Sequence, residues 1–260
     1  MSDRICIEKA REKYFSALDT KVLGQNFLLL EETDSTNACI RRTEQAQGLA
    51  VVALRQSAGR GRLGRVWESE GDGLYLSFAV ITAAENLTKL PLAAAVAAVE
   101  ALEDAGIDGA GIKWPNDILI SGKKIAGILC QAWGNKAAVG IGVNVGQSAD
   151  FFKNAGLPNG ASLAMLGYEA DMWTLAGRII TNAERCISLI ESGNYDHLLK
   201  KYRRLCLSLG REVEAIGAAE TVRGIASDVD ESGRLVIDTE KGRISVDSGE
   251  VKLRTPKGYI

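Results

Sequence analysis

The residues best suited to chemistry form one short basic loop. Residues 59–65 read Gly-Arg-Gly-Arg-Leu-Gly-Arg. The three glycines let the backbone bend sharply and approach a ligand closely. The three arginines add permanent positive charge and planar hydrogen-bond donors beside that backbone. Because glycine-rich turns are good anion cradles, the loop predicts a phosphate-binding site.

The same loop also has the G-x-G-x-x-G spacing of dinucleotide-binding proteins. That fingerprint counts only when a strand precedes it and a helix follows it. The apolar residues 50–54 predict the strand, but residues 66–73 are rich in turn formers. Residues 74–80 then read Leu-Tyr-Leu-Ser-Phe-Ala-Val, which predicts a second strand. Because no helix follows the loop, we exclude a Rossmann-type site.

The chain has a single histidine, His197, which we place on a polar helix face. A single histidine argues against three kinds of site: a Ser-His-Asp triad, a histidine metal cluster and a His-x-Glu deaminase site. The chemistry must therefore depend on lysine, arginine, aspartate, asparagine and backbone groups.

Bulk composition predicts an ordinary cytoplasmic globular protein. The 260 residues are 46% hydrophobic and 25% charged, with a net charge of −2, which argues against a broad nucleic-acid surface. We see no signal peptide, and the longest apolar run, residues 90–99, is too short to cross a bilayer. The cysteines are odd in number and lack C-x-x-C spacing, so we expect reduced thiols. They are Cys6, Cys39, Cys130, Cys186 and Cys206.

Periodicity and turn residues predict an α+β protein with two domains, residues 1–208 and 209–260. Helices are expected at 3–18, from the Thr33–Asn37 corner to about Gln47, and at 88–105, 172–192 and 195–208. Strands are expected at 27–30, 50–56, 73–81, 112–114, 117–120, 124–131 and 137–145. Beyond Val213, short Val/Ile segments alternate with turns, which predicts a small β-barrel or sandwich, or a cap on the main sheet.

Five segments in this order and spacing resemble the biotin protein ligases. They are Asp34-Ser35-Thr36-Asn37, Gln56-Ser57-Ala58 with the basic loop and Trp67, Lys113-Trp114-Pro115-Asn116-Asp117, Lys124-Ile125-Ala126-Gly127-Ile128 and Gly140-Ile141-Gly142-Val143-Asn144. The resemblance runs from about Leu18 to the last strands. It implies a mixed, largely antiparallel sheet with flanking helices, as in class II aminoacyl-tRNA synthetases and biotin ligases, followed by a small SH3-like β-barrel.

The resemblance also implies a two-step reaction that uses ATP, biotin and Mg²⁺. The biotin carboxylate attacks the α-phosphorus of ATP, giving biotinyl-5′-AMP and pyrophosphate. A lysine of a biotin carboxyl carrier domain then attacks the mixed anhydride and releases AMP. The residue inventory suits this chemistry, because the first nucleophile is already ionised and needs no histidine base.

Carried over residue by residue, the resemblance implies a biotin site and leaves two alternatives open. Ser35 can instead cap a helix, and Gly140 can instead permit close packing of sheet against helix. The expected biotin-binding residues are Ser35, Thr36, Asn37, Gln56, Gly59, Arg60, Gly61, Arg62, Lys124, Gly127, Gly140 and Gly142.

The implied catalytic residues are Arg62, Lys124 and Asp117. Arg60 and Arg62 are expected in a lid that is mobile when empty. Trp67 either stacks near the nucleotide or anchors this lid. Asn116 and Asp117 are expected to hold Mg²⁺-phosphate or ribose, and Asp117 is also a candidate base. The expected ATP- and adenylate-binding residues are Arg60, Arg62, Arg65, Trp67, Lys113, Asn116, Asp117 and Asn144.

Competing interpretations remain. A lipoate ligase shares the chemistry, but its Arg-Arg-x-Ser-Gly-Gly-Gly segment is absent. A non-catalytic adaptor or an RGG-like RNA binder is less consistent with the charged residues retained and with the lack of repeats. About thirty residues precede Asp34, too few for the winged helix of many such ligases, so we expect a short form that does not bind DNA. Relatives suggest a possible homodimer.

Overall fold

The protein, described from a computed structural model, consists of two β-sheets with helices packed mainly on the first. The structure describes residues 2–43, 46–216, 221–247, 249–255 and 258–259. The helices are Ser2–Ser16 (α1), Thr36–Arg42 (α2), Leu90–Asp104 (α3), Ala149–Asn154 (α4), Met172–Glu191 (α5) and Tyr195–Leu205 (α6). The strands of the first sheet are Asn26–Thr33 (β1), Leu49–Gln56 (β2), Gly73–Ile81 (β3), Ala110–Lys113 (β4), Asp117–Ile120 (β5), Lys123–Trp133 (β6) and Lys136–Asn144 (β7).

The first sheet is mixed and largely antiparallel, as predicted. Its strand order is β1-β2-β3-β7-β6-β5-β4, and only the β1–β2 pair is parallel. The Ala-rich α3 buries nearly its whole length between this sheet and α5 and α6. On the opposite face, Ile40 of α2 packs with Val51 and Ala138. The interior strand β3 is consequently buried on both faces, which explains why nearly all of its residues are apolar.

Two predicted helix ends are wrong. We expected the helix after Thr33–Asn37 to reach about Gln47, but α2 ends at Arg42 and Thr43 is extended. Residues 41–45 offer no apolar side chain to bury against the sheet, and packing supplies most of a short helix's stability. Likewise, α6 ends at Leu205 rather than 208, because the chain then pairs with β4: the Leu207 N–H donates to the Ile112 carbonyl at 2.8 Å.

The second sheet, called here the C-terminal sheet, is antiparallel. Its strands are Glu212–Ile216 (β8), Thr221–Val229 (β9), Leu235–Thr239 (β10), Gly242–Val246 (β11), Glu250–Thr255 (β12) and Gly258–Tyr259 (β13). The order is β11-β10-β9-β8-β12-β13. This confirms the predicted small β unit, although within the described strands β11 and β13 remain at opposite edges and do not close a barrel.

The described cysteines carry free thiols, as expected: Cys39, Cys130, Cys186 and Cys206. The side chain of Cys6 lies outside the described residues. Over the described ranges, every helix is too short or too polar to span a membrane.

Candidate active site

A cavity of about 360 Å³ opens between the basic loop, the β5–β6–β7 strands and the start of α2. It is lined by every predicted site residue except Gly59. Gly59 is buried and lines a neighbouring cavity instead, and a Cβ there would collide with the Trp67 carbonyl oxygen. Gly59 is therefore needed for close backbone packing at the base of the loop.

A buried hydrogen-bond network forms one end of the cavity. The Gln56 carbonyl Oε1 accepts from the Thr36 N–H at 2.9 Å and from the Thr36 hydroxyl at 3.1 Å. Ser77 is fully buried on β3, and its hydroxyl oxygen lies 2.7 Å from both Thr36 Oγ1 and Asn37 Oδ1, so its single hydrogen is donated to one of them. Asn37 Nδ2 donates to the Leu129 carbonyl at 3.0 Å. The network ties α2 to the sheet and presents compact donors and acceptors to the cavity.

Ser35 belongs to the same end of the cavity. It occupies the N-cap position of α2 with extended backbone, yet its side chain makes no capping hydrogen bond. The capping alternative for Ser35 is therefore wrong. Ser35 is buried and lines the cavity next to Thr36.

Glycines on neighbouring strands form the floor beneath Trp67. A Cβ on Gly142 would lie 2.5 Å from the indole, and one on Gly127 would lie 2.7 Å from it. The ring therefore anchors the loop end to β6 and β7, while its Nε1 is buried without a hydrogen-bond partner. At Gly140, a Cβ would meet Asn37 Oδ1 at 2.5 Å, so close packing of α2 on the sheet accounts for this glycine.

Charged side chains converge at the other end of the cavity. Lys124 Nζ lies 2.7 Å from Asp117 Oδ1, and Arg62 Nη1 donates to Asn116 Oδ1 at 3.1 Å. Burial lowers the pKa of the Arg62 guanidinium, and the charge of Asp117 opposes that shift. An arginine that is partly desolvated in this way is well suited to bind an anion.

The backbone around Lys124 fixes where its side chain points. A register shift in the β5–β6 pairing places an extra residue between Lys124 and Ala126, a bulge that redirects the strand. The Lys124 N–H donates to the Asn159 carbonyl at 2.8 Å, and Asn144 Nδ2 donates to the Lys124 carbonyl at 3.3 Å. Lys123 is exposed and donates to the Pro158 carbonyl at 2.9 Å, as expected for the opposite face.

The basic loop is closed on itself by backbone hydrogen bonds. Gly61 N–H donates to the Arg65 carbonyl at 2.7 Å, and Trp67 N–H donates to the Gly59 carbonyl at 3.0 Å. At the tip, Leu63 has a φ of 55° and is 69% exposed. A second cavity, of about 1290 Å³, lies on the far side of the loop toward α3 and the C-terminal sheet.

The sequence patterns missed part of the lining. Ser77 had a signal, since it is a polar residue inside an otherwise apolar strand. The Phe151–Phe152 pair and residues 156–160 line the cavity but carry no local motif. Gly249 and Val251, from the C-terminal sheet region, also line it. In the described part of the chain, no group of three or more His, Cys, Asp or Glu side chains is placed to hold a metal ion.

Comparison with known proteins shows the family to which this chain belongs. Residues 29–148 match the model of the biotin/lipoate A/B protein ligase family, and residues 208–254 match the biotin protein ligase C-terminal domain. The biotin–[acetyl-CoA-carboxylase] ligase of Mycobacterium tuberculosis is 32% identical over 242 residues, spanning 86% of this chain and 87% of that protein. This chain belongs to the biotin protein ligase family.

Two further biotin protein ligases extend the similarity. The biotin–[acetyl-CoA-carboxylase] ligase of Paracoccus denitrificans is 31% identical over 240 residues, covering 86% of this chain and 98% of that protein. The structure of the Aquifex aeolicus biotin protein ligase in complex with biotin and ATP superposes with a TM-score of 0.79 at 32% identity. That match covers 88% of this chain and 99% of the Aquifex chain.

Proposed function

We propose that this protein activates biotin with ATP as biotinyl-5′-AMP and transfers the biotinyl group to a lysine of a biotin carboxyl carrier domain. One observation carries the proposal. The Asp117–Lys124 and Asn116–Arg62 pairs meet at one end of a cavity whose other end holds the Thr36–Gln56 network. Membership of the biotin protein ligase family supports the same activity.

The network end of the cavity suits the bicyclic head of biotin. A ureido group needs both donors and acceptors, which Ser35, Thr36 and Gln56 supply. Gly127 and Gly142 leave a surface without side chains beside Trp67. We assign Asn37, Gly140 and the Gly59–Arg62 backbone to the same subsite as supporting residues, since Asn37 is committed to the network.

The charged end suits the phosphate chemistry. Lys124 and Arg62 can neutralise the biotin carboxylate and the α-phosphate as the carboxylate oxygen bonds to phosphorus and pyrophosphate leaves. In the second step the carrier amine attacks the carbonyl carbon, AMP takes the electron pair of the broken C–O bond, and the amine gives up a proton. We propose Asp117, which lines the cavity, as the group that accepts it. We assign Arg60, Arg65, Trp67, Lys113, Asn116 and Asn144 to the adenylate side.

The donor chemistry at Asn116 and Asp117 fits Mg²⁺, which prefers oxygen ligands and usually binds through one or two carboxylates plus substrate phosphates. Both side chains present oxygen atoms at the charged end of the cavity. Bound Mg²⁺ would neutralise phosphate charge on ATP. We propose Asp117 as its protein ligand, with Asn116 beside it.

The remaining assignments are also proposals. We place the boundary between a catalytic and a C-terminal domain at residues 208 and 209. A cytoplasmic location, a possible homodimer, and the lack of DNA and membrane binding stay predictions from the sequence.

A transfer assay tests the proposed function and its runner-up together. The protein is mixed with Mg-ATP, labelled biotin and a biotin carboxyl carrier domain, with and without excess lipoate. We expect ATP-dependent labelling of one carrier lysine that lipoate does not suppress. Suppression by lipoate, with lipoyl transfer, would establish the lipoate ligase instead. Loss of both adenylate and carrier label would refute ligase activity.

A further inference from the structure

Trp114 connects the charged end of the cavity to the C-terminal sheet. Its side chain is 1% exposed, so it presents almost no surface to a ligand. Its indole Nε1 donates to the Gly233 carbonyl at 2.9 Å, and its backbone N–H donates to Ser208 Oγ at 3.0 Å. Trp114 is thus held from two sides by residues that follow α6.

The Gly233 carbonyl belongs to a rigid turn between β9 and β10. Asp230 Oδ1 accepts from the N–H groups of Ser232 and Arg234 at 2.9 and 3.0 Å, and the Gly233 N–H donates to the Asp230 carbonyl at 2.8 Å. Gly233 has a φ of +79°, and a Cβ there would lie 2.9 Å from Leu92 Cδ1 on α3. The turn is therefore seated against α3 in one position.

On its other side, Trp114 leads directly into the charged residues. Two residues further on, Asn116 Nδ2 donates to the Ile128 carbonyl at 3.0 Å while its Oδ1 accepts from Arg62. The next residue, Asp117, pairs with Lys124. With one residue between Trp114 and Asn116, a shift of the indole is transmitted through a short, constrained backbone segment.

We propose that the β9–β10 turn positions Asn116, and through it Arg62, by way of the Trp114–Gly233 hydrogen bond. Trp114 and Gly233 are positioning residues. The C-terminal sheet therefore helps to hold the site residues in position and does not only cover the cavity. This inference rests on the proposed ligase function.

The main variant is Trp114→Phe, which keeps a buried aromatic ring and removes the indole N–H. We expect kcat for biotin-dependent pyrophosphate exchange to fall about fivefold to tenfold, which corresponds to the free energy lost with one neutral hydrogen bond. KM for biotin should change less than about twofold, because the biotin network does not involve Trp114. Trp133→Phe at the end of β6, where the ring stacks with Arg41, is the matched control and should leave kcat unchanged.

A double variant separates positioning from general destabilisation. If Trp114 acts through Asn116, then Trp114→Phe should cause no further loss of kcat in an Asn116→Ala background. Multiplicative losses in the double variant would overturn the proposal. So would a Trp114→Phe enzyme with wild-type kcat, provided that the wild type forms biotinyl-AMP. A wild type that forms no biotinyl-AMP would instead refute the proposed function.

Gly233→Ala provides an independent test if Trp114→Phe folds poorly. The new methyl group would press on Leu92 and displace the turn, so kcat should fall while the enzyme still binds biotin. Gly242→Ala is the control, because Gly242 also has a positive φ of +112° but a Cβ there meets nothing within 4 Å. Equal effects of the two variants on kcat would overturn the proposal, since backbone strain alone would then explain them.

Discussion

The basic loop, residues 59–65 with Val66 and Trp67 directly after it, and the corner formed by residues 113–117 border the same cavity but are held in different ways. The loop is held by backbone hydrogen bonds within itself, by the Trp67 ring and by the Arg62–Asn116 hydrogen bond, while Leu63 at its tip and Val66 are each 69% exposed. The corner is held from outside: Trp114 is 1% exposed and bonds to the C-terminal sheet, and Asn116 bonds to β6.

This difference separates two tasks. A loop with an exposed tip can move to admit and retain a ligand, whereas a segment tied to two sheets keeps charged groups in register for the chemical step. Arg62 bridges the two segments through Asn116. Variants in the corner should therefore impair the reaction itself, and variants in the loop should mainly change how long the intermediate stays bound.

The largest effect is expected at Lys124, the cation paired with the corner. Lys124→Met removes the charge that we propose neutralises the reacting carboxylate and α-phosphate, and should slow biotinyl-AMP formation about 100- to 1,000-fold. Lys123→Met is the matched control, since Lys123 is exposed on the opposite face. Rapid-quench measurement of adenylate formation checks both variants. Equal rates in Lys124→Met and Lys123→Met would remove Lys124 from the catalytic assignment.

Arg62→Gly tests the bridge between the loop and the corner. Losing one charged hydrogen bond of about 1.5–3 kcal/mol should speed release of biotinyl-AMP roughly 10- to 100-fold. Synthesis should slow less, because Lys124 and Asp117 remain. Released adenylate would then biotinylate unrelated proteins. An unchanged release rate, measured by dilution into excess unlabelled biotin, would show that the loop retains the adenylate without Arg62.

A smaller effect is expected on the glycine floor. Gly142→Ala places a methyl group against Trp67 and should raise KM for biotin about tenfold, as overpacking of a tight site does. Gly134→Ala, in the turn that joins β6 and β7, is the control. A Cβ there would meet no atom within 4 Å, so this variant should lower stability because of the φ of +57° at Gly134, without changing KM for biotin. A KM unaffected by Gly142→Ala would contradict the proposed biotin subsite.

The smallest effect concerns the Asp34–Arg42 ion pair at the entrance to α2. The Arg42 hydrogen bond holds the pKa of Asp34 well below its usual value. A depressed carboxylate pKa stabilises the fold above the unfolded-state pKa of about 3.9 and loses that contribution as pH falls toward the folded-state value. Because the pair is exposed and screened by solvent, Arg42→Gln should lower the stability only slightly at pH 7. The difference from wild type should shrink below pH 3, as followed by urea denaturation; a constant difference would assign the effect to helix propensity.

The sequence predicted which residues line the site better than it predicted the contacts that hold them in place. The spacing of Arg62, Lys113–Asp117 and Lys124 marked residues that the fold brings to one cavity. The Trp114–Gly233 bond spans 119 positions, and no local pattern reports a contact between two sheets. The bulge beside Lys124 was missed for a related reason, because pairing register depends on both strands.

Helix ends show the same limit of local patterns. Residues 41–47 contain acceptable helix formers, yet α2 ends at Arg42 once the apolar side chains facing the sheet run out. Packing, which the sequence reports only through its apolar pattern, overrides propensity there.

The most direct test of the central claim is to look for the intermediate at the charged end of the cavity. The protein is incubated with biotin and Mg-ATP, desalted under native conditions, and its bound small molecules are identified by mass spectrometry. After the same short incubation, we predict biotinyl-5′-AMP retained by the wild type and by Lys123→Met, and far less retained by Lys124→Met. Recovery of biotin and ATP without biotinyl-5′-AMP from the wild type would contradict the account.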